Sequence, residues 1–169
     1  LYVPSSVRTV KCRFNELRSL VLERGVEQVL CNSNNLTELY VPGSVGRIEC
    51  NNNELSSLII EPGVQEVVCN NNYITELYVP GSVKRIECND NKLSSLTIEP
   101  GVQEVICYNN NLTHLYAPGS VKYIDCDYNC LQSLQTEQGV KKIKCNVNSL
   151  TGLHVPDSVC FLECDRGVV

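Results

Sequence analysis

The sequence predicts a solenoid, a coil of nine stacked turns of 19 residues in which each turn adds a strand to one long parallel sheet. Three observations predict it: cysteines at a fixed interval, apolar residues at fixed distances from each cysteine, and recurrent Pro-Gly pairs. Patterns that repeat at so short an interval are typical of chains in which each turn packs only against its neighbours. The nine ladder cysteines are Cys12, Cys31, Cys50, Cys69, Cys88, Cys107, Cys126, Cys145 and Cys164.

Apolar residues keep the same interval on both sides of the ladder cysteines. Valine lies five residues before each cysteine, and Val, Ile or Leu lies two before it. In the eight complete turns, asparagine follows the cysteine by three residues, Leu or Ile by five, and Leu by eight. Around Cys50 these positions are Val45, Ile48, Asn53, Leu55 and Leu58.

The unit V-x-x-I-x-C-x-x-N-x-L-x-x-L-x-V resembles the leucine-rich-repeat consensus L-x-x-L-x-L-x-x-N-x-L, with cysteine at the third apolar position. The resemblance covers nearly the whole chain and extends to short bacterial repeats, including those of YopM- and IpaH-type effectors. It implies a leucine-rich-repeat solenoid, shaped as a horseshoe or superhelix, that acts as a binding module. The chain departs from those effectors in its 19-residue turns, and no residue of the IpaH ubiquitin-ligase domain can be matched to it.

Each turn should contribute one short strand. Ile48-Glu49-Cys50 alternates apolar and polar residues, as a strand with one buried face does, so we expect strands centred on inward-facing cysteines. A 19-residue turn leaves little or no room for a helix. Recurrent prolines instead indicate an extended or polyproline II return segment, with Gly or Ser at the corner. These prolines are Pro42, Pro62, Pro80, Pro100 and Pro118.

Composition bounds the organisation of the chain and its partners. With eleven cysteines, no Met, no Trp and two Phe, the core must be built from Val, Ile, Leu and Cys. We expect residues 1–169 to form a single leucine-rich-repeat domain of about nine repeats, as a fragment or module of a longer protein. A net charge of −5 with scattered basic residues argues against nucleic acid, and no run of about 18 apolar residues predicts a membrane span.

The asparagine column predicts a structural ladder. After each strand the chain turns inward and buries backbone N–H and C=O groups, which an amide side chain can satisfy with two donors and one acceptor. We therefore expect a buried, non-catalytic role for this column. The asparagine ladder consists of Asn15, Asn34, Asn53, Asn72, Asn91, Asn110, Asn129 and Asn148.

The cysteines predict a packing ladder of free thiols. Metal sites need convergent sets such as C-x₂-C, which do not occur here, and in-register parallel strands give poor disulfide geometry. Buried cysteine packs as a small hydrophobe. We therefore expect no metal and no cofactor, and a reducing, cytoplasmic compartment, which for a secreted effector would be host cytoplasm. Cys130 and Cys160 fall outside the ladder and should be the accessible thiols.

The outward positions of the strands are the candidate partner-binding surface. These columns vary while the apolar columns do not, and they combine Arg, Glu, exposed Val or Ile, and Tyr, which suits recognition of a protein. An equally physical alternative is a solvated face with cross-strand Arg–Glu pairs. The candidate residues are Arg47, Glu49, Glu66, Arg85, Glu87, Glu104, Tyr108, Tyr123 and Asp125.

Two further groups of residues are weaker candidates. A row of tyrosines should lie along the return side and pack on neighbouring prolines rather than bind a partner. The histidines, His114 and His154, occupy different columns without a matched nucleophile, so we expect no enzyme activity in these residues. The tyrosine row consists of Tyr2, Tyr40, Tyr78 and Tyr116.

A protein–protein interaction module is therefore the predicted function. The alternative is a purely structural or regular-surface-binding solenoid, such as an ice-binding one. That alternative would favour an uninterrupted Thr ladder, whereas the Ser/Thr column around Thr37 and Thr75 is flanked by Glu38 and Glu76. The sequence leaves the partner's identity and the oligomeric state open.

Overall fold

The structure, a computed structural model, describes residues 1–165 of the chain. These residues form short strands joined by tight turns, and none of them is helical. In chain order the strands are β1 (Tyr2–Val3), β2 (Thr9–Lys11), β3 (Val21–Leu22), β4 (Gln28–Leu30), β5 (Glu38–Val41), β6 (Arg47–Glu49), β7 (Ser57–Ile60), β8 (Glu66–Val68), β9 (Glu76–Val79), β10 (Arg85–Glu87), β11 (Ser95–Ile98), β12 (Glu104–Ile106), β13 (His114–Ala117), β14 (Tyr123–Asp125), β15 (Ser133–Thr136), β16 (Lys142–Lys144) and β17 (Phe161–Glu163).

One parallel sheet of nine strands runs along the coil, with one strand from each turn. Its order is β17-β16-β14-β12-β10-β8-β6-β4-β2, so every strand pairs with those of the turns before and after it. Equivalent positions of successive repeats pair with each other: Arg47 pairs with Glu66, and Glu66 pairs with Arg85. The predicted sheet and solenoid are confirmed.

The strands end one residue before the ladder cysteine instead of centring on it. Strand β6 stops at Glu49, and the chain then turns within three residues. Asn52 adopts the left-handed conformation, with φ of 54°, and the Asn53 amide donates to the Cys50 carbonyl at 3.0 Å. The same position is left-handed in eight turns and is occupied by Phe14, Ser33, Asn52, Asn71, Asp90, Asn109, Tyr128 and Val147.

The return segments are extended, as expected, but they also form strands, which the sequence analysis did not predict. These second strands pair two by two, β1 with β3, β5 with β7, β9 with β11, and β13 with β15. In the sequence, turns with Tyr-Val-Pro-Gly, as at Tyr40, alternate with turns with Ile-Glu-Pro-Gly, as at Ile60, so that each kind recurs every 38 residues. This 38-residue spacing corresponds to the pairs of turns whose return strands are hydrogen-bonded.

The prolines lie at the corner that follows the return strand, not along the return itself. Val45 N–H donates to the Pro42 carbonyl at 3.0 Å, which closes a four-residue turn. Gly63 has φ of 118°, and a Cβ added there would lie 2.3 Å from the Gly43 carbonyl oxygen. Successive corners therefore stack too closely for any side chain at Gly63.

The core is a single column between the two sets of strands. Val45, Ile48, Cys50, Leu55 and their equivalents in the inner turns have no exposed surface. All are aliphatic or cysteine, as the composition predicted, so each turn adds one identical layer to the core.

Candidate functional site

The strand face, meaning the outward side chains of the nine-stranded sheet, takes its residues from the period of the strand. In β6, Ile48 points into the core while Arg47 and Glu49 point away from it. The same alternation in β8 and β10 places Glu66 beside Arg47, and Arg85 beside Glu66 on its other side. The sheet thus gathers six of the nine candidate residues into one continuous charged row.

Ion pairs run through this row. The Arg47 guanidinium lies 2.8 Å from Glu49 and 3.0 Å from Glu66, and Arg85 lies 3.6 Å from Glu66 and 3.1 Å from Glu104. Arg85 also contacts Glu87. Glu66 in β8 is therefore paired with two arginines, one in each of the neighbouring strands β6 and β10. Both candidate interpretations of this face survive, because such a row can be recognised by a partner or can simply satisfy itself.

The pKa of Glu49 is set by two opposing effects, burial and hydrogen bonding. Partial burial would raise its pKa, but hydrogen bonds from Asn32, Arg47 and Arg13 outweigh that cost and lower it. The hydrogen bond with Glu49 in turn raises the pKa of Arg47. Both groups are held in their charged forms.

The central apolar residues of the strand face are less exposed than expected. Leu30 and Val68 are 8% and 7% exposed, and Val68 lies in register between Glu49 and Glu87. The expectation of exposed aliphatic residues here is wrong for Val68, because the long charged side chains on either side leave little room for solvent, whereas Ile106 in β12 is partly exposed. The centre of the face is thus mainly charged.

The aromatic candidates lie beyond the ion pairs, toward the C-terminal turns. Tyr123 is partly buried and donates its phenol to Asp125 at 3.0 Å. Burial first, and then that hydrogen bond, raise the pKa of Tyr123. Tyr108 is also partly buried, and burial is again the largest cause of its raised pKa. Neither phenol is set up to ionise near neutral pH.

A second row of amides replaces part of the expected recognition surface. The candidate Tyr108 directly follows a ladder cysteine, and at this position other turns carry asparagine, as where Asn51 N–H donates to the Asn32 side-chain oxygen at 2.8 Å. Asn70 N–H donates likewise to Asn51 at 2.8 Å. Tyr108 interrupts this row, and the buried Asn89 oxygen has no hydrogen-bond partner among residues 1–165. The abundance of Asn in this column was the signal that could have revealed the row.

The side chains of the asparagine ladder bond to backbone groups of neighbouring turns. Asn53 donates to the carbonyls of Cys50 at 3.0 Å and of Cys31, one turn earlier, at 3.1 Å. Its side-chain oxygen accepts from Leu36 N–H at 3.1 Å. Each inner asparagine therefore joins two turns and satisfies their buried backbone groups. At the N-terminal end the Asn15 side chain is exposed and donates only within its own turn, to the carbonyls of Cys12 and Arg13.

The cysteine ladder is inward, with its inner seven members buried and Cys12 and Cys164 partly exposed at the ends. The thiol of Cys31 donates to the Glu49 carbonyl of the next turn at 3.4 Å, a bond that an aliphatic side chain cannot make. Burial raises the pKa of Cys50 to about 12 and that of Cys88, with a smaller contribution from Glu87, also to about 12. These thiols are therefore inert while the protein is folded.

The thiols outside the ladder have the predicted exposure. Cys130 and Cys160 are both exposed, and all eleven cysteines, which lie within the described part of the chain, are free. Among those residues no group of three or more His, Cys, Asp or Glu side chains could hold a metal ion. Residues 1–165 likewise hold no helix able to cross a membrane.

The return face, meaning the outward side chains of the return strands, carries the tyrosine row. Tyr40 donates its phenol to Glu61 of the next turn, whose second oxygen accepts from Gly43 N–H at 2.8 Å. The phenol first, and then the Gly43 N–H, lower the pKa of Glu61. The return-side position is confirmed, and the added contact is this Tyr–Glu latch. Equivalent latches join Tyr2 to Glu23, Tyr78 to Glu99, and Tyr116 to Glu137.

Exposed apolar surface is concentrated on this return face. Tyr40 is 45% exposed and pairs in register with Ile59, which is 57% exposed. Tyr2 and Val21 form the equivalent pair at the N-terminal end. His114 and His154 are exposed and well separated in the chain, and the His114 ring contacts Thr113. The sequence analysis rated the tyrosine row as the weaker candidate for binding and so did not predict this exposed apolar surface.

The geometry defines the class: the protein is a leucine-rich-repeat solenoid with cysteine and asparagine ladders. Solved structures of that fold resemble it. YopM from Yersinia enterocolitica WA-314 has a TM-score of 0.83 at 21% identity, over 96% of this chain and 43% of that one. YopM from Yersinia pestis has 0.75 at 23%, over 95% and 55%. InlJ from Listeria monocytogenes, described as including a cysteine ladder, has 0.70 at 18%, over 96% and 45%.

These similarities establish the fold. The chain spans about half the length of the structures that it matches. No protein-family model matches the sequence, and no curated protein matches it.

Proposed function

We propose that this chain is a protein–protein interaction module that binds its partner on the strand face, across the turns from Arg47 to Asp125. The observation that carries the proposal is the row of Arg47, Glu66, Arg85 and Glu104, which alternates in charge along adjacent strands. A partner with the opposite order of charges would match it at several points at once. Such complementarity gives specificity more than affinity.

The fixed inner columns support this choice of surface. In a solenoid the core positions are set by packing between turns, so differences between one repeat protein and another are written in the outward columns. Tyr108 and Tyr123 add aromatic groups to the same sheet, and Tyr and Arg are enriched among residues that dominate binding energy. The alternative role as a regular-surface binder has less support, because the Ser56 and Ser94 hydroxyls donate to carbonyls of the preceding turn at 3.2 Å.

The wider setting is part of the same proposal. The resemblance to YopM structures supports the recognition domain of a bacterial effector, acting by binding rather than by catalysis and working as a module of a longer protein. Buried free thiols that hydrogen-bond to the next turn are suited to a reducing compartment such as cytoplasm, including host cytoplasm.

The experiment compares two sets of substitutions in the intact protein. Arg85/Tyr108/Tyr123→Ala removes the strand-face groups, and Tyr40/Tyr78/Tyr116→Ala removes the return-face row. Partner capture is measured for each, with folding checked by circular dichroism. The first variant should lose binding and the second keep it. Full binding by the first together with loss by the second would place the interface on the return face.

A further inference from the structure

The C-terminal end of the strand face differs from its centre. A groove of about 510 Å³ opens there across β14, β16 and β17. Its walls combine two aromatic rings with a cluster of lysines, whereas the centre of the face alternates Arg and Glu. The groove residues are Glu104, Lys122, Tyr123, Lys141, Lys142, Lys144 and Phe161.

The register of three strands builds the apolar part of the groove. Tyr123 pairs with Lys142, and Lys142 pairs with Phe161, so the two rings stand on either side of one lysine. They are two strands apart, which is about 10 Å in a sheet. Phe161 is 44% exposed. That gap is wide enough for one extended peptide segment to place an apolar side chain between the rings.

The positive charge of the groove is only partly neutralised. Lys144 lies 3.2 Å from Glu163, and the Lys122 ammonium donates to the carbonyls of Gly119 and Gly139 at 3.1 and 3.2 Å. Lys141 and Lys142 are exposed, and within residues 1–165 neither ammonium has a carboxylate partner. Glu104 at the rim is engaged by Arg85 at 3.1 Å. Two cations therefore remain for an incoming ligand.

We propose that this groove binds a short acidic peptide segment, with carboxylates on Lys141 and Lys142 and an apolar side chain between Tyr123 and Phe161. The inference rests on the proposed function, because the groove belongs to the same strand face. Acidic groups just outside it, on Asp125, Asp127 and Glu163, limit the positive surface to a few residues. A long polyanion such as nucleic acid would run onto those carboxylates.

The test uses a short fluorescein-labelled peptide in which Glu alternates with Leu, titrated with the intact protein by fluorescence polarisation. The peptide should bind, and binding should weaken as salt increases. Lys141→Glu/Lys142→Glu should weaken it by about tenfold or more. Phe161→Ala should weaken it severalfold, which isolates the apolar contribution. The matched charge control, Lys11→Glu/Lys92→Glu, lies away from the groove and should change binding by less than about twofold.

Three results would overturn the proposal that the groove binds an acidic peptide. They are equal weakening by both lysine pairs, equal binding of a peptide with Lys in place of Glu, and tighter binding of a single-stranded RNA oligonucleotide. The proposed function fails separately. If the peptide does not bind but partner capture is still lost with Arg85/Tyr108/Tyr123→Ala, the interaction module stands without this groove. If capture is also unaffected, both proposals fall.

Discussion

The strand face and the return face belong to the same turns, yet they hold their charged groups in different ways. On the strand face Glu66 is shared by Arg47 and Arg85, and the row continues through all the central strands. On the return face Glu61 binds Tyr40 and the Gly43 N–H within one pair of turns, and it also binds the exposed Arg24 of the preceding pair at 2.9 Å. The strand face is a continuous network, whereas the return face is a series of Tyr–Glu latches, one of which is also linked to the preceding pair of turns.

The difference shows what each face can offer a partner. The continuous network covers its aliphatic residues, so that Val68 is 7% exposed, while the latched face leaves Ile59 at 57%. A partner on the strand face must be recognised by charge, and one on the return face would be held by apolar contact. Four pairs of variants test how far the two faces behave independently.

The largest change in stability should come from a substitution in the asparagine ladder, whose bonds between turns support both faces. Asn72→Leu removes the acceptor of the buried Leu55 N–H and one of the two donors to each of the Cys50 and Cys69 carbonyls, which keep Asn53 and Asn91. We expect a loss of about 2 kcal/mol in the free energy of unfolding, since the Leu55 N–H is left unpaired in the core and two further hydrogen bonds are lost. Urea unfolding followed by circular dichroism measures it, and amide exchange should speed up on both faces together.

Asn15→Leu is the matched control. The Asn15 side chain is exposed and donates only to the carbonyls of Cys12 and Arg13 in its own turn, so the loss should stay below about 0.5 kcal/mol. Equal losses for Asn72→Leu and Asn15→Leu would mean that bonding between turns does not stabilise the ladder.

Removing backbone strain in the turn after β16 should raise the stability of the protein. Val147 has φ of 54° and is 50% exposed, so its branched side chain is strained there and contributes little packing. Val147→Asn should raise the free energy of unfolding by about 1 kcal/mol. The reverse change at the equivalent position, Asn52→Val, should lower it by a similar amount. Thermal unfolding of both variants checks the pair, and the same sign for both would contradict the argument.

A smaller effect on stability is expected on the strand face. Arg85→Met removes contacts with Glu66, Glu87 and Glu104, all of them partly solvated, so the loss should be at most about 1 kcal/mol and should shrink in high salt. Arg24→Met, which removes the exposed pair with Glu61 on the return face, should have almost no effect. Salt-independent destabilisation by Arg85→Met would show that packing of its stem, not charge, matters.

The smallest effect belongs to the return-face latches and should depend on pH. The phenol hydrogen bonds lower the pKa of Glu61 and Glu99 below 4.5 in the folded protein. Their stabilisation is therefore complete above pH 4.5 and is lost as the pH falls through the folded values. Glu61→Gln/Glu99→Gln should flatten the decline in melting temperature on acidification toward about pH 3.

Glu76→Gln provides the comparison for the latches. Glu76 is exposed on β9, and its side chain makes no hydrogen bond within residues 1–165. This substitution should leave the acid limb of the melting curve unchanged. An unchanged acid limb in Glu61→Gln/Glu99→Gln would show that the latches do not hold in solution.

Sequence reasoning recovered the features that depend on one residue type in every turn. The interval of the ladder cysteines gives the sheet and its register, and the asparagine column gives the bonds between turns. These follow because a buried position in a solenoid meets the same environment each time. The inward direction of Cys50 and the buried role of Asn72 were predictable for this reason.

Features that depend on two different columns of the repeat could not be predicted from the sequence. The latch joins Tyr40 to a glutamate 21 residues later, and it appears once the turns are stacked. The burial of Val68 depends on the long side chains of neighbouring strands. The groove between Tyr123 and Phe161 arises because two ordinary outward positions, two turns apart, lie on either side of a lysine.

The pairing of return strands two by two also has a mechanical consequence. Strands β5 and β7 are hydrogen-bonded to each other, as are β9 and β11, but β7 and β9 are not. A force that pulls the chain apart from its ends should therefore open the coil at alternate junctions, where the return strands are not paired with each other. Each rupture would release two turns together. Since an extended residue spans about 3.4 Å, the force trace should show steps of about 130 Å rather than half that length.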